Sequence, residues 1–252
     1  MLRRTDELIG YAVHATDGEL GNAMDFYFDT LRWTVRYLLV DSATWLGDRQ
    51  VLIAPPSLGQ PDVHTGRIPV NLSRQQIANS PPVTEDQPLT RQWEQELATY
   101  YGWPLDRPIP ESDAPGPADQ EPVIIPPDLD SPPTYTLEER MVESWLRSAK
   151  RITEFLVLAA DGEVGPVDDL LIDTDGWIIK YLIVQVTDAD RPRKVLLAPE
   201  WATQVTWTQG VIEFALWREQ MIQSPEYDDA TSVSRDFETT LSDYYGRPYR
   251  RE

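Results

Sequence analysis

Residues 17–41 read DGELGNAMDFYFDTLRWTVRYLLVD, and residues 161–185 read DGEVGPVDDLLIDTDGWIIKYLIVQ. The second stretch repeats the first at a fixed offset: Asp17-Gly18-Glu19 returns as Asp161-Gly162-Glu163, Asp29-Thr30 as Asp173-Thr174, and Tyr37-Leu38 as Tyr181-Leu182. Within each stretch apolar and polar residues alternate, as in Met24, Phe26 and Phe28 against Asp25, Tyr27 and Asp29. A period of two broken by Asp-Gly and Thr-Asp-Gly predicts short antiparallel strands joined by tight turns.

The same offset extends outward without a gap. It carries Val51-Leu52 onto Val195-Leu196, Ala54-Pro55 onto Ala198-Pro199, Ser80-Pro81 onto Ser224-Pro225 and Tyr100-Tyr101-Gly102 onto Tyr244-Tyr245-Gly246. A repeat of about 100 residues is a duplicated domain, not a solenoid module. Each copy offers Tyr11–His14, Met24–Asp29, Trp33–Val40, Gln50–Ala54, Leu58–His64 and Arg67–Asn71, or their equivalents, as strands. Six short strands suit a small closed barrel, because closure removes exposed edges.

Each tail turns helical. Thr90 and Ser234 are placed as N-caps, and Phe237, Leu241, Tyr244 and Tyr245 share one helix face, like Trp93, Leu97, Tyr100 and Tyr101. Gly102 and Gly246 suit left-handed C-terminal caps. Shorter helices are expected over Arg74–Asn79 and Arg218–Gln223, the first opened by Asn71-Leu72-Ser73. Thr136 and Glu139 form a capping box that predicts a further helix over Leu137–Ala149.

The predicted fold is therefore mainly β with helical appendages: two small closed antiparallel β-barrels of about six strands, each followed by one short and one longer helix. Residues 1–104 form the first domain, 105–136 an acidic linker and 137–252 the second domain. The linker is set by ten prolines between Pro104 and Pro133, which favour extended backbone and exclude helix. Duplicated domains often retain the contact of an ancestral homodimer, so the copies are expected to pack on each other with approximate twofold symmetry.

The motifs Asp17-Gly18-Glu19-x-Gly21, Asp25 to Asp29, Trp33 to Asp41 and Val51 to Pro55, with their second-copy counterparts, resemble the PRC-barrel domain. That barrel takes its name from the cytoplasmic domain of the H subunit of the purple-bacterial photosynthetic reaction centre. The helical tails are similar to those of bacterial tandem PRC-barrel proteins. The resemblance implies a fold and brings no catalytic motif. It implies an interaction or scaffold protein, with a peripheral place beside a membrane or photosynthetic electron-transport complex.

Composition bounds the chemistry. The chain has no cysteine, which excludes disulfides and thiolate chemistry, and no apolar run approaches the ~20 residues of a membrane span. The net charge of −20 is spread over both copies and the linker, which argues against binding a phosphate backbone and leaves RNA or ribosome association to fold analogy alone. A cytoplasmic location is expected, and the resemblance implies one peripheral to the inner membrane.

Asp17, Glu19, Asp25 and Asp29, with Asp161, Glu163, Asp168, Asp169, Asp173 and Asp175, could line a pocket between the barrels and serve a small ligand or an enzyme. The plainer reading is turn chemistry, with the strand aspartates facing solvent. His14 and His64 have Leu158 and Thr208 as counterparts, so a histidine site would exist in one copy only. No catalytic, cofactor-binding or metal residue is assigned, and no cofactor is expected. Trp33, Trp177, Tyr37 and Tyr181 recur at structural spacing and read as core. Trp45 and Leu46 lie in an expected loop without counterparts and mark a candidate partner surface, with Trp103, Trp201 and Trp207 as weaker candidates. A protein partner is expected, and a homo-oligomer is compatible with the duplication.

Overall fold

A computed structural model describes residues 1–46, 50–81, 91–104, 146–188, 191–229 and 233–247. The chain divides into two compact units. One joins Met1–Asn79 to Trp145–Glu252 and holds both β-rich halves; the other is Ser80–Ser144 and contains the helix Arg91–Tyr101.

The first half runs β1 (Leu2–Arg4), α1 (Thr5–Leu8), β2 (Ala12–Ala15), β3 (Gly18–Asp29), β4 (Val35–Asp41), α2 (Ala43–Leu46), β5 (Gln50–Ile53), β6 (Arg67–Pro69) and α3 (Arg74–Ala78). With the Arg91–Tyr101 helix as α4, the second half runs β7 (Leu146–Ser148), α5 (Ala149–Ile152), β8 (Leu156–Ala159), β9 (Gly162–Asp173), β10 (Ile178–Asp188), β11 (Arg191–Leu197), β12 (Ala202–Thr206), β13 (Val211–Phe214), α6 (Arg218–Ile222) and α7 (Arg235–Tyr245). The fold is mainly β, with one sheet per half. The orders are β5-β4-β3-β2-β6 and β11-β10-β9-β8-β13-β12.

Two strands cross over. β1 belongs to the first half but pairs antiparallel with β9, Leu2 opposite Asp173 and Arg4 opposite Leu171. β7 belongs to the second half but pairs antiparallel with β3, Leu146 opposite Asp29 and Ser148 opposite Tyr27. Both pairings are related by the repeat offset, so the halves trade equivalent strands. This trade groups the two copies into one unit.

The centre of the exchange is an isolated antiparallel bridge between Thr34 and Ile178, which occupy equivalent positions in the two copies. Val35 N donates to Trp177 O and Ile179 N to Trp33 O, each at 2.7 Å. Trp33 and Trp177 stand beside this bridge in left-handed backbone conformations, φ 56° and 52°, a strain of roughly 1–3 kcal/mol for a non-glycine residue. The reciprocal hydrogen bonds and ring packing hold them there: Trp33 stacks on Phe28 with centroids 5.2 Å apart, and Trp177 lies 5.9 Å from Phe26 across the halves.

Several expectations need correction. The strand expected from Trp33 begins only at Val35, because Trp33 closes the turn. Leu58–His64 makes only the isolated bridges Leu58–Val70 and Asp62–Arg67. Pro61 removes a ladder donor where the second copy has Val205, inside β12. The helix expected over Leu137–Ala149 is replaced at Leu146–Ser148 by strand β7, and its earlier residues, the linker 105–136 and the Thr90 cap lie outside the described residues. In α7 Leu241 and Tyr245 are buried as expected, but Tyr244 is exposed. The Ser234 cap, accepting from Phe237 N at 3.2 Å, and the left-handed Gly246 match the sequence reading.

Candidate functional site

Two buried carboxyls with raised pKa sit where the halves exchange strands. Asp25 and Asp169, equivalent in the repeat, are only 3% and 2% exposed. This corrects the expectation that the strand aspartates face solvent; Asp29 is buried as well. A buried carboxylate needs hydrogen bonds, and at each site two of the three come from the strand and turn contributed by the other half and one from the next residue of its own strand. Asp169 accepts from the Thr5 hydroxyl, from Asp6 N at 3.3 Å and from Leu170 N at 2.7 Å. Asp25 accepts from the Ser148 hydroxyl, from Lys150 N at 3.2 Å and from Phe26 N at 2.7 Å. Each aspartate thus clamps the turn that follows the exchanged strand.

Electrostatics separates the two clamps. Burial raises the Asp25 carboxyl, against the lowering effect of its hydrogen bonds from Ser148, Lys150 and Phe26. Burial, reinforced by neighbouring Asp6, pushes Asp169 up to about 7. Around Asp169 lies an ion-pair chain. Arg4 reaches Asp6 at 3.1 Å, Asp229 at 3.2 Å and Asp169 at 4.0 Å, while Lys194 contacts Asp229 and Asp168, the latter at 2.8 Å. Burial opposes ionisation of Asp229, but Lys194 and Arg4 outweigh it and hold the carboxyl below its ordinary value. Tyr227 is pushed up to about 12 by burial and by Asp229.

Beside this chain an open groove of about 700 Å³ is lined by Gln185, Arg191, Arg193, Lys194, Glu226 and Asp229, among others. Its cations are already engaged: Arg191 holds Glu226 at 3.0 Å, and Arg193 donates to Ile222 O and Ser224 O at 3.0 Å each. Among the described residues no group of three or more His, Asp or Glu side chains is arranged to hold a metal ion.

The other carboxylates singled out by sequence serve separate local tasks. Asp17 and Asp161 accept from Arg74 N and Arg218 N, each at 2.7 Å, and tether the Asp-Gly turn to the short helix of their own half. Asp29 accepts from Arg32 N at 2.6 Å, and Asp173 pairs with Lys180 at 3.2 Å and accepts from Asp175 N. Glu19 stands 3.9 Å from His14, Glu163 is exposed, and His64 is exposed with its N–H on Asp62. The sequence candidates do not converge on one point.

Trp45 and Leu46 lie in helical turn α2 and are half-buried. The Trp45 indole N–H donates to Leu20 O at 2.6 Å, and the Arg74 guanidinium lies 4.7 Å from the ring centroid. Trp201 is buried against Tyr245, Trp103 stacks on Tyr101, and Trp207 packs between Phe155 and the Phe28–Trp33 pair of the other half. Among the described residues the large apolar side chain most open to solvent is Trp217, 65% exposed at the start of α6. Sequence reading passed over it, although it stands where the first copy has the capping Ser73. It passed over Arg4, Lys194 and Asp229 too, whose partners are remote in sequence.

No protein-family profile matches the chain, and no curated protein is significantly similar to it.

Proposed function

We propose that this protein is a non-catalytic interaction scaffold built from two PRC-barrel domains, peripheral to a membrane-bound electron-transport complex. In this reading each sheet closes into a small barrel of about six strands. The observation that carries the proposal is the paired use of Asp25 and Asp169. Of the three carboxyls among the described residues that burial raises, Asp25, Asp29 and Asp169, the equivalent pair Asp25 and Asp169 is occupied by the hydroxyl and N–H groups of the exchanged turns. These two equivalent acids are thus committed to architecture, in duplicate. The repeated motifs quoted above support the domain assignment, and the two-sheet arrangement is compatible with it. No helix among the described residues is long and apolar enough to cross a membrane; the attachment in this reading is to a protein partner.

The proposed partner contacts are Trp217 on the second half, whose solvent-facing indole is the kind of side chain enriched at interface centres, and Trp45 and Leu46 on the first. The net charge of −20 favours a partner with a basic face. Immobilised full-length chain should retain a partner from detergent-solubilised membranes, less so as salt rises. Trp217→Ser should weaken retention at least ~10-fold, since truncating an interface hot spot costs upwards of ~2 kcal/mol. Retention unchanged in Trp217→Ser and in a Trp45→Ser/Leu46→Ser chain of normal stability would overturn the reading.

A further inference from the structure

The contacts across the seam have an unusual property: none requires the two halves to belong to one chain. The first half supplies β1, α1 and Thr34; the second supplies β7, α5 and Ile178; each set lands on the other half. Residues 80–144 are the sole covalent connection between the halves. We propose that the seam is a self-recognition surface, through which two copies of this chain complete one another by pairing the first half of one with the second half of the other.

The seam has the form of an isologous interface, with Thr34–Ile178 at its centre and the β1–β9 and β7–β3 pairings as equivalents on either side. The duplication makes it nearly self-complementary, yet some contacts select unlike halves. Arg4 reaches Asp229, and the Arg4 position is Ser148 in the second copy. Trp207 packs on Phe28 and Trp33, and the first copy has Val63 in its place. Pairing of unlike halves therefore keeps every seam contact, whether within a chain or between two. What differs is concentration. Linked modules see each other at an effective concentration on the order of 1 mM, so exchange between copies competes once chains fold at comparable concentration. An exchanged pair then persists, because separating it means stripping strands from both sheets.

The natural absence of cysteine allows a direct test. Thr34 and Ile178 face each other as a non-hydrogen-bonded antiparallel pair, flanked by the Val35–Trp177 and Ile179–Trp33 bonds. Such pairs have Cα atoms about 4.5 Å apart, within the roughly 4.4–6.8 Å that a disulfide spans. Full-length Thr34→Cys and Ile178→Cys chains are mixed, unfolded, refolded together at about 1 µM and about 1 mM, and oxidised. Dimers joined by the mixed disulfide are expected, with their fraction rising at least ~10-fold at the higher concentration. The Thr34→Cys/Ile178→Cys double variant, refolded dilute, should close its disulfide within one chain. Monomers at both concentrations would overturn the proposal. So would a dimer without the mixed disulfide, preferential Thr34→Cys self-linkage, or a double variant that fails to close.

Discussion

Asp169 carries the sharpest consequence of the exchange for a single side chain. In the unfolded chain it titrates near its ordinary 3.8, and in the fold near 7, because burial opposes its charge. Between those values the native protein keeps a proton that the unfolded chain has released. Its contribution to stability is therefore fully present below about 4, lost progressively as pH rises toward 7, and level above that. Asp25 is shifted in the same direction and adds to the slope. Asp169→Asn keeps the shape and removes the titration. Calorimetric Tm values between pH 5 and pH 8 should fall more steeply with rising pH for the natural protein than for the variant. Identical slopes would show that this carboxyl does not stay protonated in the fold. None of this was legible in the sequence. Alternation puts Asp25 and Asp169 at the polar positions of their strands, where an aspartate normally meets water. The turns that bury them arrive from more than a hundred residues away.

Among the elements, the long strands β3 and β9 owe their course to single glycines. A Cβ on Gly21 would lie 1.6 Å from Asp41 O, and one on Gly165 would lie 1.9 Å from Gln185 O. The neighbouring strand therefore approaches where no side chain fits, next to a register shift in the β2–β3 and β8–β9 ladders. Gly165→Ala should lower unfolding free energy by upwards of ~2 kcal/mol in urea titrations. Gly162→Ala, with open space around its Cβ, should cost less. Equal losses would mean that backbone conformation, not the close approach, dominates. These strands were legible because their alternation runs long enough to set a period, and α7 because Ser234 and Gly246 bracket an apolar face. The exchanged strands were not. Leu2–Arg4 and Leu146–Ser148 are too short to show any period, and the capping box at Thr136 drew Leu146–Ser148 into a helix. Their one signal was the repeat itself, since Leu2-Arg3 recurs as Leu146-Arg147.

For the molecule as a whole, strand exchange converts two copies into one cooperative body. A half deprived of its partner would lose a strand from its sheet, the donors that satisfy its buried aspartate, and the aromatic cover over Trp33 or Trp177. Neither sheet can therefore unfold while the other keeps its native edges. The unit formed by Met1–Asn79 and Trp145–Glu252 should lose structure in a single transition, with far-ultraviolet circular dichroism and tryptophan fluorescence coinciding across urea concentration. Leu146 offers the discriminating substitution. It is fully buried, comes from the second half and packs in the sheet of the first. Leu146→Ala should cost about 2–5 kcal/mol, the usual range for a buried leucine. Because the lost packing is shared, that cost should move both probes to lower urea together. Were the halves independent domains joined by a tether, the variant would instead split the curve. The first sheet would melt early while the Trp201–Tyr245 region of the second kept its original midpoint.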